Sequence, residues 1–595
     1  MSNLNLGLIG NCQISALIDD QATIVWSCLP QLDADPTFCR LLRDDGESDR
    51  PGYFAVEILD YSRSEQEYLT NTAILVTTLY DNNGGAIRVT DFAPRYQYVG
   101  RTFTPMMILR RIEPLRGSPR IRIRIEPARD YGADTCDFTH GSNHIRYRCA
   151  DVNCRLTTNA SLTHIIDQNT FVLDRELHLI FGPDETIPEA CDDTFYRHYR
   201  ATRNYWQVFS RSLSIPFEWQ DAVIRAAITL KLCTFEDTGA VVAALTTSIP
   251  EAADSSRNWD YRFCWLRDSY FVVQALNRLG ATTTMEHYLG YIMNIVADAG
   301  GEPLKPLYGI SGSSLIEEQT VESLSGYRGM GPVRRGNQAC EQVQHDVYGA
   351  VVLSATQFFF DNRLIKSGTE AEFRRLEVLG EHARRFSDQP DAGLWEYRGR
   401  QRRHTFSSVM CWAACDRLAK IATKLGKPER AKYWRSSADE MRATIIEGAW
   451  DKEQQAFTES FGRPEMDASL LTLHDLGFLE ADDAKFISTV ECIGRHLLRG
   501  DHMFRYNAPD DFGEPENAFN ICTFWYIDAL ASIGRSEEAR DLFENMLSLR
   551  NPLGLLSEDI EPATGELWGN FPQTYSMAGI INAAVRLSRT WEEAL

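Results

Sequence analysis

The sequence lacks long apolar runs, a basic leader and an excess of positive charge. No stretch approaches the roughly 18 apolar residues of a membrane-spanning helix. The N-terminal segment MSNLNLGLIGN has no basic region followed by an apolar run, so we predict no secretory signal. Lys and Arg total 61 against 83 Asp and Glu, which gives a net charge of −22. Because phosphate binding needs a basic face, we predict no nucleic-acid partner, and the lack of a long apolar stretch predicts no membrane partner.

Clustered metal or cofactor ligands are also missing. The fourteen cysteines are scattered, without any CxxC, which is typical of neither a zinc site nor a disulfide framework. There is no HExxH, no GxSxG, no Walker loop and no GxGxxG after a strand. We therefore predict a reduced cytoplasmic protein that uses no metal and no organic cofactor.

The first third of the chain has the alternation of β-strands. In Pro119–Pro127, Ile121, Ile123 and Ile125 fall on one face and arginines on the other. Further strand-like runs follow one another without helical segments between them. This pattern predicts an antiparallel β-sandwich over residues 1–198.

After about residue 200 the apolar period becomes helical. Phe271, Ala275 and Leu279 form one stripe, and Gly280 stands where a helix would stop. At 595 residues the chain is too long for one core. We predict a linker over residues 199–220 and an all-helical domain over residues 221–595.

Loops rich in Trp, Arg, Asp and Glu recur in the helical half. They are Arg257–Phe271, Gly326–Gly349, the GLWEYRG segment at Gly393–Gly399 and Gly554–Ala584. Any one of them has an ordinary structural explanation, since Arg–Asp pairs brace loops and Trp closes cores. Aromatic rings also pack against the C–H faces of sugars, so several such loops at one end of a helical array favour a carbohydrate site.

This set of residues suits glycoside hydrolysis, which needs one protonated carboxyl group and one carboxylate. Burial beside an aromatic ring raises the pKa of a carboxyl group, so Glu396 next to Trp395 is our candidate acid. Glu558, preceded by Ser557, is the candidate for the ionised carboxylate. The like charge of Asp559 acts against its ionisation and leaves that assignment open on chemistry alone.

Six phrases occur in an order that resembles glycoside hydrolase family 15, the glucoamylase and trehalase family. They are the segment Ile9–Phe38, TGAVVAALTTSIPEA at Thr238–Ala252, NWDYRFCWLRDSYF, GNQACEQVQHDVYG, GLWEYRG and LLSEDI…GNFPQTYS. The resemblance covers nearly the whole chain. It implies a β-sandwich followed by an (α/α)6 barrel whose loops line the site.

The resemblance also implies roles for individual residues. Glu396 takes the place of the general acid and Glu558 that of the general base, in a hydrolysis that inverts the anomeric carbon. Arg267 and Asp268 match the pair that holds the hydroxyl groups of the terminal sugar. Further walls of that subsite are Trp259, Trp395 and Arg505. Tyr575 stands where fungal relatives carry Trp, so its role stays open.

Several functions remain open at this point. The favoured one is a glucoamylase-type enzyme that releases β-glucose from the non-reducing ends of α-glucans or short α-gluco-oligosaccharides. The alternative is an α,α-trehalase of the same family. A sugar phosphorylase or an inactive sugar-binding protein is disfavoured, because the chain keeps both Glu396 and Glu558. The sequence predicts no oligomeric state.

Inversion predicts that the carboxyl groups of Glu396 and Glu558 lie roughly 6.5–9.5 Å apart, which leaves room for a water molecule between carboxylate and sugar. A crystal structure with a bound inhibitor measures this distance. A separation of about 5–5.5 Å would instead indicate retention.

Overall fold

The computed structural model describes residues 3–47, 50–149 and 152–594, and its N-terminal part is the predicted β-sandwich. In the first sheet the strands are Gly7–Gly10, Ser15–Ile18, Ile24–Cys28, Pro36–Phe38, Tyr53–Ile58, Arg120–Glu126 and Phe171–Val172. In the second they are Tyr61–Tyr68, Leu75–Asp81, Ala86–Phe92, Ile108–Arg116, Asp137–His140, His144–Arg148, Asn153–Thr158 and Leu177–Pro183. All pairings in both sheets are antiparallel.

The alternating isoleucines occupy the core of this sandwich. Strand Arg120–Glu126 pairs with Tyr53–Ile58, and the side chains of Ile121 and Ile123 are fully buried between the sheets. The intervening arginines lie on the other face, where Arg122 pairs with Glu57. The period of two in the sequence is thus the alternation between core and surface.

One buried arginine joins the two sheets. Arg110 lies opposite Asp91 in the second sheet, and its Nε donates to Asp91 Oδ1 at 2.8 Å with both side chains fully buried. Its Nη1 donates to the main-chain oxygen of Phe54, which belongs to the first sheet, at 2.8 Å. Burial raises the pKa of Asp91, and the Arg110 charge opposes that rise.

The C-terminal part is the predicted (α/α)6 barrel. In the described part of the chain, the inner ring consists of the helices Leu266–Arg278, Asp346–Ala355, Thr405–Lys424, the short 3₁₀ helix Ala468–Thr472, Asn520–Ser532 and Thr574–Leu587. The outer helices are Thr282–Asp298, Glu370–Phe386, Pro428–Ala449, Ala484–Leu497, Ser536–Ser548 and Gln220–Leu232. Each inner helix contacts the next, and the last contacts the first, so the ring closes.

The helix Cys191–Ser212 spans the junction between the two domains, and polar contacts fix the domains to each other. Trp26 Nε1, from the sandwich, donates to the Leu245 main-chain oxygen at 2.8 Å. Asn551, from the barrel, donates to the main-chain oxygen of Leu4 at 3.0 Å. None of the helices described is long and apolar enough to cross a bilayer.

Replacing Arg110 by Ala is expected to lower the free energy of unfolding by about 3–5 kcal/mol, because it leaves Asp91 buried without its partner. Denaturant unfolding followed by tryptophan fluorescence measures the change. Arg63→Ala is the matched control, since the side chains of Arg63 and Glu65 are 56% and 59% exposed and exposed pairs contribute little. Equal losses of unfolding free energy in Arg110→Ala and Arg63→Ala would contradict the role of Arg110 in joining the two sheets.

Candidate active site

A pocket of about 840 Å³, its open mouth included, lies where the N-terminal ends of the inner helices meet. All eight residues predicted from the sequence line it: Trp259, Arg267, Asp268, Trp395, Glu396, Arg505, Glu558 and Tyr575. Helix N-termini carry partial positive charge, so their convergence suits a site that contains several carboxyl groups.

Glu396 lies in a tight turn between the helices Glu370–Phe386 and Thr405–Lys424. Its φ is +61°, a left-handed conformation that costs a non-glycine residue of the order of 1–2 kcal/mol. The Glu396 N–H donates to the Gly393 oxygen at 3.2 Å, and Gln342 Nε2 donates to the Glu396 oxygen at 3.0 Å. The surrounding structure therefore holds the carboxyl group of Glu396 in place by fixing its backbone.

The two carboxyl oxygens of Glu396 have different surroundings. Oε1 accepts hydrogen bonds from Trp265 Nε1 at 2.6 Å, Gln344 Nε2 at 3.2 Å and Arg267 Nη2 at 3.4 Å. None of the hydrogen bonds among the described residues uses Oε2. The side chain is 22% exposed, so Oε2 is the oxygen available to a substrate.

The indole that contacts the Glu396 carboxyl group belongs to Trp265, whereas the sequence pointed to Trp395. Trp395 Nε1 donates instead to Asp467 Oδ2 at 2.7 Å, and burial raises the pKa of Asp467 to about 7. The Trp395 ring still lines the pocket and packs against Phe519 and Tyr506. Trp395 and Glu396 thus form their side-chain hydrogen bonds with different residues, although they are adjacent in the sequence.

Glu558 is held by one hydrogen bond to each carboxyl oxygen. Tyr261 Oη donates to Oε1 at 2.7 Å, and the Asn570 N–H donates to Oε2 at 3.3 Å. Gly569 makes this approach possible, because a Cβ there would lie 2.6 Å from the Glu558 Cβ, and its φ is +75°. The side chain is buried, with 1% of the residue exposed.

Burial and, to a smaller extent, the charge of Glu251 raise the pKa of Glu558 to about 8, against the lowering effects of the Tyr261 hydrogen bond and the Arg505 charge. The sequence-based expectation was a carboxylate that stays ionised, and Asp559 was the suspected opposing charge. The raised pKa opposes that expectation, and burial is its main cause, followed by the charge of Glu251. Asp559 is itself buried, and its pKa is raised by burial and by Glu558.

A pair of aromatic residues connects the two glutamates. The rings of Tyr261 and Trp265 lie edge to face, with centroids 5.3 Å apart, and Tyr261 bonds Glu558 while Trp265 bonds Glu396. Sequence reasoning missed both residues, although both stand in the phrase NWDYRFCWLRDSYF. Tyr261 and Trp265 are four residues apart, and Trp265 ends the short strand Cys264–Trp265. This spacing of two aromatic residues is the sequence signal that could have identified them.

Arg267, Asp268 and Tyr575 line the pocket with polar atoms that make no hydrogen bond. Arg267 Nε and Asp268 Oδ1 form an ion pair at 3.5 Å without a hydrogen bond, and Tyr575 Oη has no hydrogen-bond partner among the described residues. Burial raises the pKa of Asp268 to about 7, and the Arg267 charge opposes that rise. Buried polar groups without partners are costly, and sugar hydroxyl groups are suitable partners for all three.

Arg505 and Trp259 are joined through Glu251, another residue that sequence reasoning missed. Glu251 Oε1 accepts from Trp259 Nε1 at 3.1 Å, and its Oε2 pairs with Arg505 Nη2. Glu251 therefore positions two predicted wall residues and also places a negative charge near Glu558. Among the described residues, no group of three or more His, Cys, Asp or Glu is arranged to hold a metal ion.

Comparison with known proteins identifies the family. Residues 219–585 match the family Glycosyl hydrolases family 15, and residues 4–170 match a domain described as Trehalase-like, N-terminal. The chain belongs to glycosyl hydrolases family 15. It is 31% identical to a protein of Thermoplasma volcanium named Trehalase, over 99% of this chain and 93% of that protein.

Another relative agrees with this assignment, and a solved structure shares the fold. A protein of Mycobacterium tuberculosis named Trehalase is 32% identical over 98% of this family 15 chain and 89% of its own length. The structure of a bacterial glucoamylase complexed with acarbose superposes with a TM-score of 0.69 at 14% identity, over 98% of this chain and 93% of that one. At that identity the superposition shows the shared fold, a sandwich followed by an (α/α)6 barrel.

If Glu558 must ionise to act, kcat/KM is expected to rise with pH over a range above that of an ordinary glutamate, whose pKa is about 4.3. Glu251→Gln removes a charge that raises the Glu558 pKa, so the rise in kcat/KM should occur at lower pH in this variant. Initial rates from about pH 4 to about pH 10, a range that brackets the ordinary and the raised pKa, show where this rise occurs. Glu113→Gln in the sandwich is the control. If the rise in kcat/KM moves to higher pH or stays at the same pH in Glu251→Gln, the assignment of Glu558 as the ionising group is contradicted.

Proposed function

We propose that this family 15 glycoside hydrolase is an inverting α,α-trehalase. The observation that carries the proposal is the pair Glu396 and Glu558 in one pocket, connected through Trp265 and Tyr261. Similarity to proteins named Trehalase over nearly the full length favours the trehalase alternative over the glucoamylase-type interpretation. Trehalose is an uncharged disaccharide, which is compatible with the strongly negative chain.

In the proposed reaction Arg267 and Asp268 hold one glucosyl unit of trehalose at the inner end of the pocket. Glu396 donates a proton from Oε2 to the glycosidic oxygen as the C–O bond breaks. Glu558 removes a proton from a water molecule on the opposite face, and that oxygen bonds to the oxocarbenium-like carbon. The products are β-glucose from the cleaved unit and α-glucose from the leaving unit.

The raised pKa of Glu558 is compatible with its proposed role. A base whose pKa lies near the working pH combines sufficient ionisation with strong proton affinity. The Tyr261 hydroxyl group and the Asn570 N–H both donate to the carboxylate form, so they favour the state that acts. A phosphorylase would need a phosphate in place of the water that Glu558 activates, and Glu558 counts against it.

A cytoplasmic location is part of the proposal. Every cysteine that the structure describes is a free thiol, as expected for a reducing compartment.

A substrate panel tests the trehalase assignment. The wild-type enzyme is expected to hydrolyse trehalose with a kcat/KM at least about tenfold above maltose, isomaltose and soluble starch, the order of discrimination that pocket contacts supply. Glucose release measured by a coupled assay gives the values. Maltose or starch as the preferred substrate would restore the glucoamylase-type interpretation and contradict the trehalase one.

Two variants separate the proposed roles. Glu396→Gln is expected to lower kcat on trehalose by about 10²–10⁴-fold, the usual contribution of a general acid. Its loss on α-D-glucosyl fluoride should be much smaller, because fluoride leaves without a proton. Glu558→Gln should lose activity on both substrates, since both need activated water. Similar behaviour of the two variants on the fluoride would contradict the assignment.

A further inference from the structure

The mouth of the pocket is bordered by a loop fixed by charged contacts. Asp510 accepts two hydrogen bonds of 2.6 Å from Arg257, one to each oxygen, in the fork geometry that gives strong pairs. Arg257 Nη2 also donates to the Gly513 oxygen at 2.9 Å, and the Phe512 N–H donates to Asp510 Oδ1 at 2.7 Å. The backbone on both sides of Phe512 is therefore held by Asp510 and Arg257.

A second anchor ties this loop to the turn that carries Glu396. The Arg398 N–H donates to Asp511 Oδ2 at 2.6 Å, two residues beyond Glu396. The Arg398 guanidinium donates to Glu318 Oε2 and to Gln338 Oε1, both at 2.9 Å. Three loops from distant parts of the sequence thus meet at one side of the mouth.

Phe512 is an exposed apolar residue at the point where these three loops meet. Its ring lies edge to face with Trp259, with centroids 5.2 Å apart, and lines the pocket. Trp259 itself is in contact with two guanidinium groups, Arg398 at 4.4 Å and Arg334 at 5.2 Å from its centroid. Phe512 is 38% exposed, so it retains surface that a ligand can cover.

We propose that Phe512 is the apolar wall of the subsite that binds the leaving sugar. This inference rests on the proposed function, because it takes the inner end at Arg267 and Asp268 as the place of the cleaved unit. A second pyranose linked through the Glu396 side would lie towards the mouth, where Phe512 faces its C–H surface. Arg398 and Asp511 supply the donor and acceptor groups that sugar hydroxyl groups need.

The chemistry of this wall distinguishes it from the first subsite. Arg267, Asp268 and Tyr575 offer buried polar atoms, which select the hydroxyl pattern of one glucosyl unit. Phe512 offers a partly exposed ring on a loop fixed by ion pairs, which suits a sugar that must leave after each turnover. Its contribution is expected only for substrates that have a second sugar.

Phe512→Ala tests the inference with two substrates of different size. We expect kcat/KM for trehalose to fall about tenfold, the order given by lost apolar contact in a pocket. For α-D-glucosyl fluoride, which has no second sugar, the change should be at most about twofold. Phe512→Tyr keeps the ring and should restore trehalose hydrolysis. Phe360→Ala, at a 44% exposed phenylalanine remote from the pocket, is the matched control.

Equal losses on both substrates, or no loss on trehalose, would overturn the inference. Asp511→Ala is the second variant; by releasing the loop from Arg398 it should weaken trehalose hydrolysis while affecting the fluoride less. If the wild-type enzyme cleaves maltose and not trehalose, the proposed function fails. In that case the inference is tested by the ratio of kcat/KM for maltose to kcat/KM for α-D-glucosyl fluoride in the same variants.

Discussion

The burial of Glu558 is the constraint on which the rest of the site depends. A carboxyl group removed from water loses its charge unless hydrogen bonds and nearby cations stabilise the ionised form. Here the Tyr261 hydroxyl group and the Asn570 N–H bind its two oxygens, and Arg505 supplies an opposing positive charge. The negative charge of Glu251 instead raises the pKa of Glu558. The pKa of the proposed base therefore results from burial together with neighbours that act in opposite directions.

The β-sandwich takes part in positioning this site. Arg262, in the same short segment as Tyr261 and Trp265, donates to both oxygens of Asp260 at 2.9 and 2.7 Å. Its Nη1 also donates to the Ala34 main-chain oxygen at 2.7 Å, and its Nη2 to the Tyr131 hydroxyl group at 3.0 Å. Both acceptors belong to the sandwich. The segment that contacts the two glutamates is thus fixed from outside the barrel.

The fold followed from local patterns in the sequence. Alternation over Arg120–Glu126 gave a strand with buried isoleucines, and the helical stripe at Phe271–Leu279 gave an inner helix. The pairing of the two glutamates came from motif order, and all eight proposed site residues line one pocket. Contacts between side chains could not be read in this way. Trp265, Tyr261 and Glu251 act across turns and between loops, and only the folded chain brings them to Glu396 and Glu558.

The stereochemistry of trehalose hydrolysis tests the central claim most directly. Both anomeric centres of trehalose are α, so an inverting enzyme releases one β-glucose and one α-glucose from each molecule. Proton NMR within the first minutes, before mutarotation, should therefore show the two anomers in equal amounts. A product that is initially all α-glucose would show retention, and would contradict the assignment of Glu558 as the base that activates water.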